Sequence, residues 1–182
     1  MKRKVVAIVG MPGSGKSEVA KVFEERGFAR VRFGDTTDEE LKKRGLKQNE
    51  ADERYVREIL RQQYGMAAYA ELNLPRIDSA LERSQVIIDG LYSWEEYVFL
   101  KGYYGEELYV VAVWSSPKMR YARLSQRRNR RLTQRESISR DRAELENVNK
   151  GGPIAMADFA IINEASLESL KNEVKRIISE LP

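Results

Sequence analysis

The sequence predicts an α/β fold in which a five-stranded, mostly parallel sheet carries helices on both faces. Short apolar runs rich in β-branched residues alternate with segments of helical periodicity along the chain, an order typical of parallel sheets. A glycine-rich loop joins the first apolar run to the first helical segment. With 182 residues, the chain has the length of one domain.

Each strand is predicted from a short apolar or alternating run. Residues 4–9 (KVVAIV) are almost entirely apolar and predict a strand buried on both faces. Residues 28–33 alternate apolar and charged side chains, as a second strand does. The predicted strands are residues 4–9, 28–33, 85–88, 108–114 and 157–162.

Helices are predicted where apolar residues recur every three or four positions. In residues 50–64, Tyr55 and Leu60 are expected to share one face. Pro75 is expected to end or bend the stretch 66–83. The predicted helices are residues 17–26, 50–64, 66–83, 93–103, 119–142 and 166–181. Residues 35–45 are polar and contain the helix-forming run ELKKR before Gly45.

Two stretches are predicted to be insertions into a single core, because no linker or repeat separates them from it. The core of the expected single domain, residues 1–182, comprises residues 1–34, 84–118 and 154–182. The first insertion covers about residues 35–83, and the second covers about residues 119–153.

The chain contains no cysteine and no histidine. Disulfides, thiolate metal sites and a cysteine nucleophile are therefore excluded. Histidine bases, histidine metal ligands and every Ser-His-Asp hydrolase are excluded as well. Any catalytic base is consequently expected to be a carboxylate.

The sequence shows no segment of the kind that targets or anchors a protein to a membrane. No apolar run approaches the ~20 residues that a spanning helix needs. Residues 1–4 lead into only five apolar residues, too few for the core of a signal peptide. The expected location is cytoplasmic.

The positive charge is concentrated in one segment. The whole chain carries 32 Lys and Arg against 28 Asp and Glu, a net charge of +4. Residues 118–142 carry ten basic side chains against Glu136 and Asp141, a net charge of +8. A local positive field of this kind attracts an anion.

A phosphate-binding motif lies between the first predicted strand and the first predicted helix. Residues 10–17 (GMPGSGKS) match the pattern G-x-x-x-x-G-K-[ST]. The glycines let backbone N–H groups face one centre, and the helix N-terminus adds a positive dipole end. We expect Lys16 to reach the β- and γ-phosphates of ATP, and Ser17 to ligate Mg²⁺. The expected nucleotide-binding residues of this P-loop are Gly10, Gly13, Ser14, Gly15, Lys16 and Ser17.

Two carboxylates follow predicted strands and are expected in the crevice at the carboxyl edge of the sheet. Asp89 ends the run QVIID and is expected to hold Mg²⁺, with a simple Asp-Gly turn as the alternative. Gly90 would let a substrate approach closely. Asp35 is expected to orient or deprotonate an attacking hydroxyl, or to bond a ribose or base. An Asx turn or helix cap is the alternative for Asp35.

Further segments extend the P-loop into a longer collinear pattern. The opening segment VAIVGMPGSGKSEVAKVFEERGF resembles the openings of both adenylate kinase and dephospho-CoA kinase. Three further segments, FGD, VIIDGLYSWEE and RYARLSQR, are similar to segments of adenylate kinase. RLTQRESISR and ADFAIINEASLESLKNEV are similar to the lid and the tail of dephospho-CoA kinase. The chain thus resembles the P-loop nucleotide kinase superfamily over nearly its whole length. Within that superfamily it resembles adenylate-kinase-related and dephospho-CoA-kinase-like proteins of archaea and uncultured bacteria.

The resemblance implies a P-loop NTPase fold of three layers in which the first insertion is an acceptor-binding arm and the second is a mobile, Arg-rich lid. It implies that Arg123 lies near the donor nucleotide. It also implies that Arg127 and Arg140 reach the phosphates when the lid closes, and that Asn163 borders the adenine pocket.

Two arginines of the adenylate kinase pattern are absent from this chain. Asp38 stands where that family's GDxxR has arginine, and residues 89–93 (DGLYS) lack the arginine of DGFPR. These differences argue against AMP as the acceptor. Gly90 and Tyr92 are nevertheless expected beside the acceptor. The arginines that could bind its phosphate instead, or else form a solvated face, are Arg57, Arg61 and Arg76.

The basic segment has three interpretations. Arg120, Arg123, Arg127 and Arg131 recur at helical spacing and can share one face. A mobile lid would bring such arginines to the transferring phosphoryl group, an Arg-rich helix can bind nucleic acid, and a solvated surface is the third possibility. We favour the lid because the P-loop is present. The glycine pair at residues 151–152 can serve as its hinge or form an ordinary loop.

The sequence therefore predicts an ATP- and Mg²⁺-dependent small-molecule kinase. Its acceptor is expected to be nucleotide-like, with dephospho-CoA and a nucleoside monophosphate both left open. The alternative is a P-loop NTPase or nucleotide switch that binds RNA or a protein partner. No membrane partner is expected, and the oligomeric state is left open. The expected catalytic residues are Lys16, Asp35, Asp89, Arg127 and Arg140.

Overall fold

Five parallel strands form the central sheet. The strands are β1 (Val5–Val9), β2 (Ala29–Arg32), β3 (Val86–Asp89), β4 (Leu108–Trp114) and β5 (Phe159–Ile162). In the computed structural model, which describes residues 3–182, their order is β2-β3-β1-β4-β5. Residues 1 and 2, which open the predicted core segment 1–34, lie outside the described residues.

Helices cover both faces of the sheet, so the predicted α/β class is confirmed. The helices are α1 (Lys16–Glu25), α2 (Gly34–Arg44), α3 (Glu50–Tyr64), α4 (Ala68–Leu81), α5 (Trp94–Tyr104), α6 (Pro117–Ser125), α7 (Gln134–Glu146), α8 (Gly151–Ala155) and α9 (Leu167–Glu180). None of the helices within residues 3–182 combines the length and apolar character of a membrane span.

The hydrophobic core has two layers that meet at the sheet. On one face, Val6 and Ile8 of β1 pack with Phe23 of α1 and with side chains of α9. On the other face, the remaining β1 residues pack with Tyr69 of α4 and Leu100 of α5. All five side chains of β1 are fully buried, as expected for a strand in a parallel sheet covered on both faces.

The sheet topology places the ends of β1, β2 and β3 side by side. Ile8 of β1 is in register with Asp89 of β3, and Asp89 is in register with Arg32 of β2. All three strands run in the same direction, so the segments that follow them emerge at one edge. This is the edge at which open α/β sheets bind ligands.

The predicted continuous helix 119–142 is wrong. Helix α6 ends at Ser125, and α7 begins only at Gln134. Thr133 caps α7 by accepting from the Glu136 backbone N–H, and the Glu136 carboxylate accepts from the Thr133 backbone N–H, which completes a capping box. Arg127 and Arg131 consequently lie outside α6 and do not share a helix face with Arg120 and Arg123.

Two local expectations about helices also need correction. Tyr55 of α3 is 52% exposed, and the buried face of that helix carries Val56 and Leu60. The glycine pair at residues 151–152 forms neither an open loop nor a free hinge, because it begins α8. Gly152 packs so closely on Trp94 that an added Cβ would lie 2.5 Å from the ring.

Pro75 does not end the helix that contains it. Helix α4 continues without interruption from Ala68 to Leu81, and Pro75 lies on its exposed side. The apolar side chains of α4 that pack on the core, such as Tyr69 and Ile77, lie on both sides of the proline in sequence. Packing therefore maintains the helix where local preference would break it.

Candidate active site

A cavity of about 570 Å³ opens at the carboxyl edge of the sheet. The P-loop, the segments after β2 and β3, and the region from α6 to α8 all contribute to its lining. The lining includes Gly13, Gly15, Lys16, Ser17, Arg32, Asp38, Glu53, Arg57, Asp89, Gly90, Tyr92, Arg123, Arg127, Arg130, Arg140, Glu144 and Lys150. Most of the residues predicted from sequence are thus brought to one site.

The P-loop adopts a conformation that only glycine tolerates at two of its positions. Gly13 has φ 81° and Gly15 has φ 106°, both in the left-handed region. An added Cβ at Gly13 would lie 2.7 Å from the Arg120 carbonyl oxygen, and one at Gly15 would lie 2.3 Å from Asn163 Nδ2. The chain therefore packs against the loop from two sides.

Arg120 supports the P-loop from below and is not a free lid arginine. Arg120 is 4% exposed, and its guanidinium donates to the Pro12 carbonyl at 3.1 Å. The same group binds both carboxylate oxygens of Asp141, at 2.9 and 2.6 Å. Arg120 thereby joins α6 and α7 to the loop.

Asn163 and Arg123 support the other side of the loop. Asn163 Nδ2 donates to the Ser14 carbonyl at 2.8 Å. Arg123 donates to Ser115 Oγ and to the Asn163 carbonyl, both at 3.0 Å. Arg123 also lines the cavity, whereas Asn163 is buried behind the loop.

Lys16 is the centre of a buried charge cluster. Its Nζ donates to the carbonyls of Gly10 and Met11 at 2.8 and 3.0 Å. Burial lowers the pKa of Lys16 to about 7, and the nearby ammonium of Lys150 acts in the same direction. An anion in this part of the cavity would restore the charged form of Lys16.

Glu144 lies between the cations of this cluster. It accepts from Arg140 Nε at 3.2 Å and forms an ion pair with Lys150 Nζ. Burial alone would raise the pKa of Glu144, but the charges of Lys150, Arg140 and Lys16 outweigh burial and lower the pKa to about 2. The carboxylate therefore stays ionised at any physiological pH.

Asp89 and Ser17 offer oxygen ligands that suit Mg²⁺. Both residues line the cavity, and Asp89 is 6% exposed. One oxygen of Asp89 is bound by Arg30 at 2.5 Å, which leaves its other oxygen available. Mg²⁺ in phosphate-transfer sites takes one or two protein oxygens and completes its shell with phosphate and water, so the residues present fit this ion.

The carboxylate that lines the cavity after β2 is Asp38. Its oxygens are bound by Arg32 at 2.8 Å and by Arg130 at 2.5 Å. Asp35 is half-exposed, binds Arg32 at 2.5 Å, and lies outside the cavity lining. The position at which the chain differs from the GDxxR pattern is therefore part of the site.

The three arginines of the arm that were predicted to meet an acceptor lie in different places. Arg57 lines the cavity and binds Glu50 at 2.9 Å and Glu53 at 3.4 Å. Arg61 lies over the Tyr69 ring, 5.4 Å from its centroid. Arg76 is outside the lining and pairs with a surface glutamate.

Tyr92 and Gly90 line the cavity together, beyond β3. Gly90 has φ 110°, and an added Cβ would lie 2.9 Å from the Tyr92 hydroxyl. Burial raises the pKa of Tyr92, and the charge of Asp89 raises it further. The hydroxyl is therefore a neutral hydrogen-bonding group at the cavity wall.

The two predicted lid arginines differ in their surroundings. Arg140 binds Glu50 of α3 at 2.9 Å and Glu144 at 3.2 Å. Arg127 lines the cavity from the loop between α6 and α7 and is exposed. Among the described residues, Arg127 has no carboxylate partner within ion-pair distance, so its charge is available to a ligand.

Several cavity residues were not predicted from sequence. Arg32 and Arg130 meet Asp38 only because β2 and the loop after α6 converge in space. Glu144 and Lys150 face Lys16 across the cavity, and no motif links them to it. In the sequence, only Asp38 stands out, because it replaces the arginine of the GDxxR pattern.

Comparisons with known proteins give the family and the fold. Residues 6–147 match the family described as an AAA domain. A UPF0200 protein of Thermococcus kodakarensis is 39% identical over 181 residues, which cover 97% of each chain. A UPF0200 protein of Pyrococcus furiosus is 39% identical over 179 residues and 96% of each chain. The chain belongs to the UPF0200 family.

Solved structures confirm the P-loop kinase-like fold for this UPF0200 chain. TT1252 from Thermus thermophilus has a TM-score of 0.65 at 22% identity, with all of both chains covered. A gluconokinase from Sinorhizobium meliloti has a TM-score of 0.58 at 16% identity, covering 98% of this chain and 95% of that one. A dephospho-CoA kinase from Campylobacter jejuni has a TM-score of 0.56 at 13% identity, covering 99% and 98%. The predicted α/β P-loop fold is thereby confirmed.

Proposed function

We propose that the protein is an ATP- and Mg²⁺-dependent kinase that transfers the γ-phosphate to a nucleotide-like small molecule. The observation that carries this proposal is the single cavity shared by the P-loop, the carboxylate of Asp89 and the arginines of the second insertion. Structural neighbours that are kinases by name support the same class of reaction. We also propose that the chain divides into a core, an acceptor-binding arm and a lid at the boundaries predicted from sequence.

On the donor side, the P-loop backbone and Lys16 bind the ATP phosphates. Ser17 and Asp89 would hold Mg²⁺, which would supply positive charge beside the phosphates. Arg123 and Asn163, which already support the loop, lie on the side of the donor nucleotide. Glycines 10, 13 and 15 and Ser14 keep the backbone close to the phosphates.

During transfer, negative charge spreads over the phosphoryl oxygens, and fixed cations stabilise it. Arg127 lines the cavity and has no carboxylate within ion-pair distance among the described residues, so it can turn to this charge. Arg140 also lines the cavity, where Glu50 and Glu144 hold it. Asp35 was the base predicted from sequence, but Asp38 is the carboxylate on the cavity wall. We therefore propose Asp38 for orienting an acceptor hydroxyl, with Asp35 holding Arg32 in position.

On the acceptor side, Arg57, Gly90 and Tyr92 form the wall of the cavity. Arg61 and Arg76 are proposed to act at the edge of the arm, since neither lines the cavity. Dephospho-CoA and nucleoside monophosphates are the two acceptor classes to test first.

The experiment is a phosphate-transfer assay with Mg²⁺-ATP and a panel of dephospho-CoA, nucleoside monophosphates and nucleosides. Transfer to one acceptor is expected, and Lys16→Ala should abolish it while the circular dichroism spectrum stays unchanged. Slow ATP hydrolysis that RNA accelerates, without transfer to any acceptor, would contradict the proposal. Wild-type turnover in Lys16→Ala would remove its central residue.

A further inference from the structure

Lys150 is a buried lysine on the wall of the same cavity. Its side chain is 2% exposed. Glu144 is the hydrogen-bond acceptor that the described residues offer its ammonium group. The ammonium also lies over the Tyr92 ring, 5.2 Å from the centroid. One acceptor leaves further N–H donors of this buried group unused, because an ammonium carries three.

Lys150 lies near the P-loop lysine, Lys16. It is close enough to disfavour the charged form of Lys16, and Arg140 acts in the same direction on both lysines. Arg140 is paired with Glu50 as well as Glu144. Among the described residues, Lys150 has Glu144 alone at ion-pair distance, and Lys16 has no carboxylate at that distance. Because a buried cation is costly unless an anion pairs with it, the two lysines favour a further anion in the cavity.

The backbone places Lys150 in this position with little freedom. Asn149 adopts a left-handed conformation with φ 51°, which turns the chain sharply after α7. The Lys150 backbone N–H then bonds the Glu144 carbonyl at 3.1 Å, and the Trp94 N–H bonds the Val148 carbonyl at 3.2 Å. Lys150 is thus tied to Glu144 through both its backbone and its side chain.

We propose that Lys150 is a second phosphate-binding lysine, which contacts the transferring phosphoryl group from the side opposite the P-loop. This inference rests on the proposed kinase function. In the step, the bond between the γ-phosphorus and the β–γ bridging oxygen breaks, and ADP leaves with that oxygen. A P–O bond to the acceptor forms, and the acceptor proton passes to a carboxylate or to water. Lys150 keeps its own proton and only donates a hydrogen bond to a phosphoryl oxygen. Glu144 remains paired with Arg140 and holds Lys150 until the phosphate arrives.

The test compares the affinities for Mg²⁺-ATP and Mg²⁺-ADP, measured by calorimetry, with kcat and KM for the acceptor. Lys150→Met removes the charge at similar length, Lys150→Arg keeps it, and Lys175→Met is a matched control at an exposed lysine of α9. Lys150→Met should weaken ATP binding about 10- to 100-fold, as expected for a lost charged hydrogen bond, and leave ADP binding unchanged. It should lower kcat about 100-fold, Lys150→Arg should recover part of both, and Lys175→Met should behave as wild type.

A merely structural salt bridge gives a different pattern. If Lys150→Met lowers the unfolding temperature but keeps the wild-type preference for ATP over ADP, the inference is overturned. If Lys150→Met fails to fold, Glu144→Gln serves instead, because it releases Lys150 without removing its charge. Glu144→Gln should increase the preference for ATP, and an unchanged or smaller preference overturns the inference. A wild-type protein that binds neither nucleotide overturns the kinase function as well, so the two failures are distinguishable.

Discussion

Glu96 lies in the first turn of α5, where its Oε2 accepts the Tyr92 backbone N–H at 2.8 Å. Its Oε1 has no hydrogen-bond partner among the described residues. Burial raises the pKa of Glu96 to about 7, and the positive charges of Arg61 and Lys150 only partly offset this effect. The unfolded chain releases the same proton near pH 4.5. The stability contribution of Glu96 therefore falls as the pH rises from about 4.5 to about 7.

We expect Glu96→Gln to remove this pH dependence, since glutamine does not ionise. Relative to wild type, the variant should gain up to about 3 kcal/mol of unfolding free energy between pH 5 and pH 8. Urea unfolding at several pH values measures the difference. Glu82→Gln, at an exposed glutamate, is the matched control and should show no such trend. A difference that does not change with pH would contradict the buried, protonated state of Glu96.

Asp38 and Asp35 give a second comparison at single residues. Both bind Arg32, but only Asp38 lines the cavity. Asp38→Asn should lower kcat for the acceptor about 10- to 100-fold with little change in ATP affinity, and Asp35→Asn should have a smaller effect. Steady-state kinetics with the best acceptor and ATP calorimetry measure these quantities. A larger effect at Asp35 would restore the assignment made from sequence.

At this scale, sequence predicts what a local motif encodes. Gly13, Gly15 and Lys16 were recognisable because their spacing alone specifies a phosphate loop. Lys150 and Arg130 were not recognisable, since their roles arise from contacts with residues distant in sequence. A charged side chain in a polar stretch looks like solvated surface until the fold shows what it faces.

At the scale of elements, the pairing of α6 with α7 depends on a buried ion pair. Arg120 and Asp141 are 4% and 8% exposed and are joined by two hydrogen bonds. Removing one partner of such a pair leaves the other charge buried and uncompensated. Because Arg120 also binds the Pro12 carbonyl, the effect should reach the P-loop.

Asp141→Asn is therefore expected to lower the free energy of unfolding by about 3 kcal/mol or more, and to weaken ATP binding. Denaturant unfolding and nucleotide calorimetry measure the two effects. Glu180→Gln is a matched control, because its partner Arg176 lies on the surface, and it should change neither quantity measurably. If Asp141→Asn is destabilised but keeps the wild-type ATP affinity, the ion pair does not influence nucleotide binding by the P-loop.

The division of residues 119–142 into two helices could have been found from sequence. Thr133 and Glu136 have the spacing of a capping box, which marks the start of a new helix. The regular spacing of the arginines suggests one helix instead. Such spacing indicates a shared helix face only if the helix is continuous, and this helix is interrupted between Ser125 and Gln134. The strands were easier to predict, since apolar runs such as residues 108–114 exclude other interpretations.

At the scale of the whole molecule, ion pairs join the two insertions across the cavity. Arg130 binds Asp38 at 2.5 Å and Glu53 at 2.8 Å, and Arg140 binds Glu50 at 2.9 Å. These pairs connect the predicted lid to the predicted arm, and we expect them to separate when a large ligand enters or leaves.

Arg130→Met should weaken this connection. We expect ATP to dissociate about tenfold faster, with the P-loop contacts intact, in stopped-flow measurements with a fluorescent ATP analogue. Arg128→Met is the matched control, because Arg128 is exposed in the same loop and has no ion pair among the described residues. Equal dissociation rates in wild type and Arg130→Met would show that the pairs do not limit exit.

Neither this connection nor its partners could be predicted from sequence. Arg130 is 92 residues from Asp38, and Arg140 is 90 residues from Glu50. The resemblance to nucleotide kinases implied a lid and an arm but not which side chains join them. Their meeting depends on strand order, because β2 lies at the edge of the sheet beside β3.

The contact between Asn163 and the Ser14 carbonyl spans 149 residues of sequence. During translation, the P-loop emerges from the ribosome early, but Asn163 follows only after β5 has been made. A nascent chain that still lacks β5 has the complete P-loop motif without the side chain that supports it. This support of the P-loop therefore forms only once the last strand of the sheet has been made.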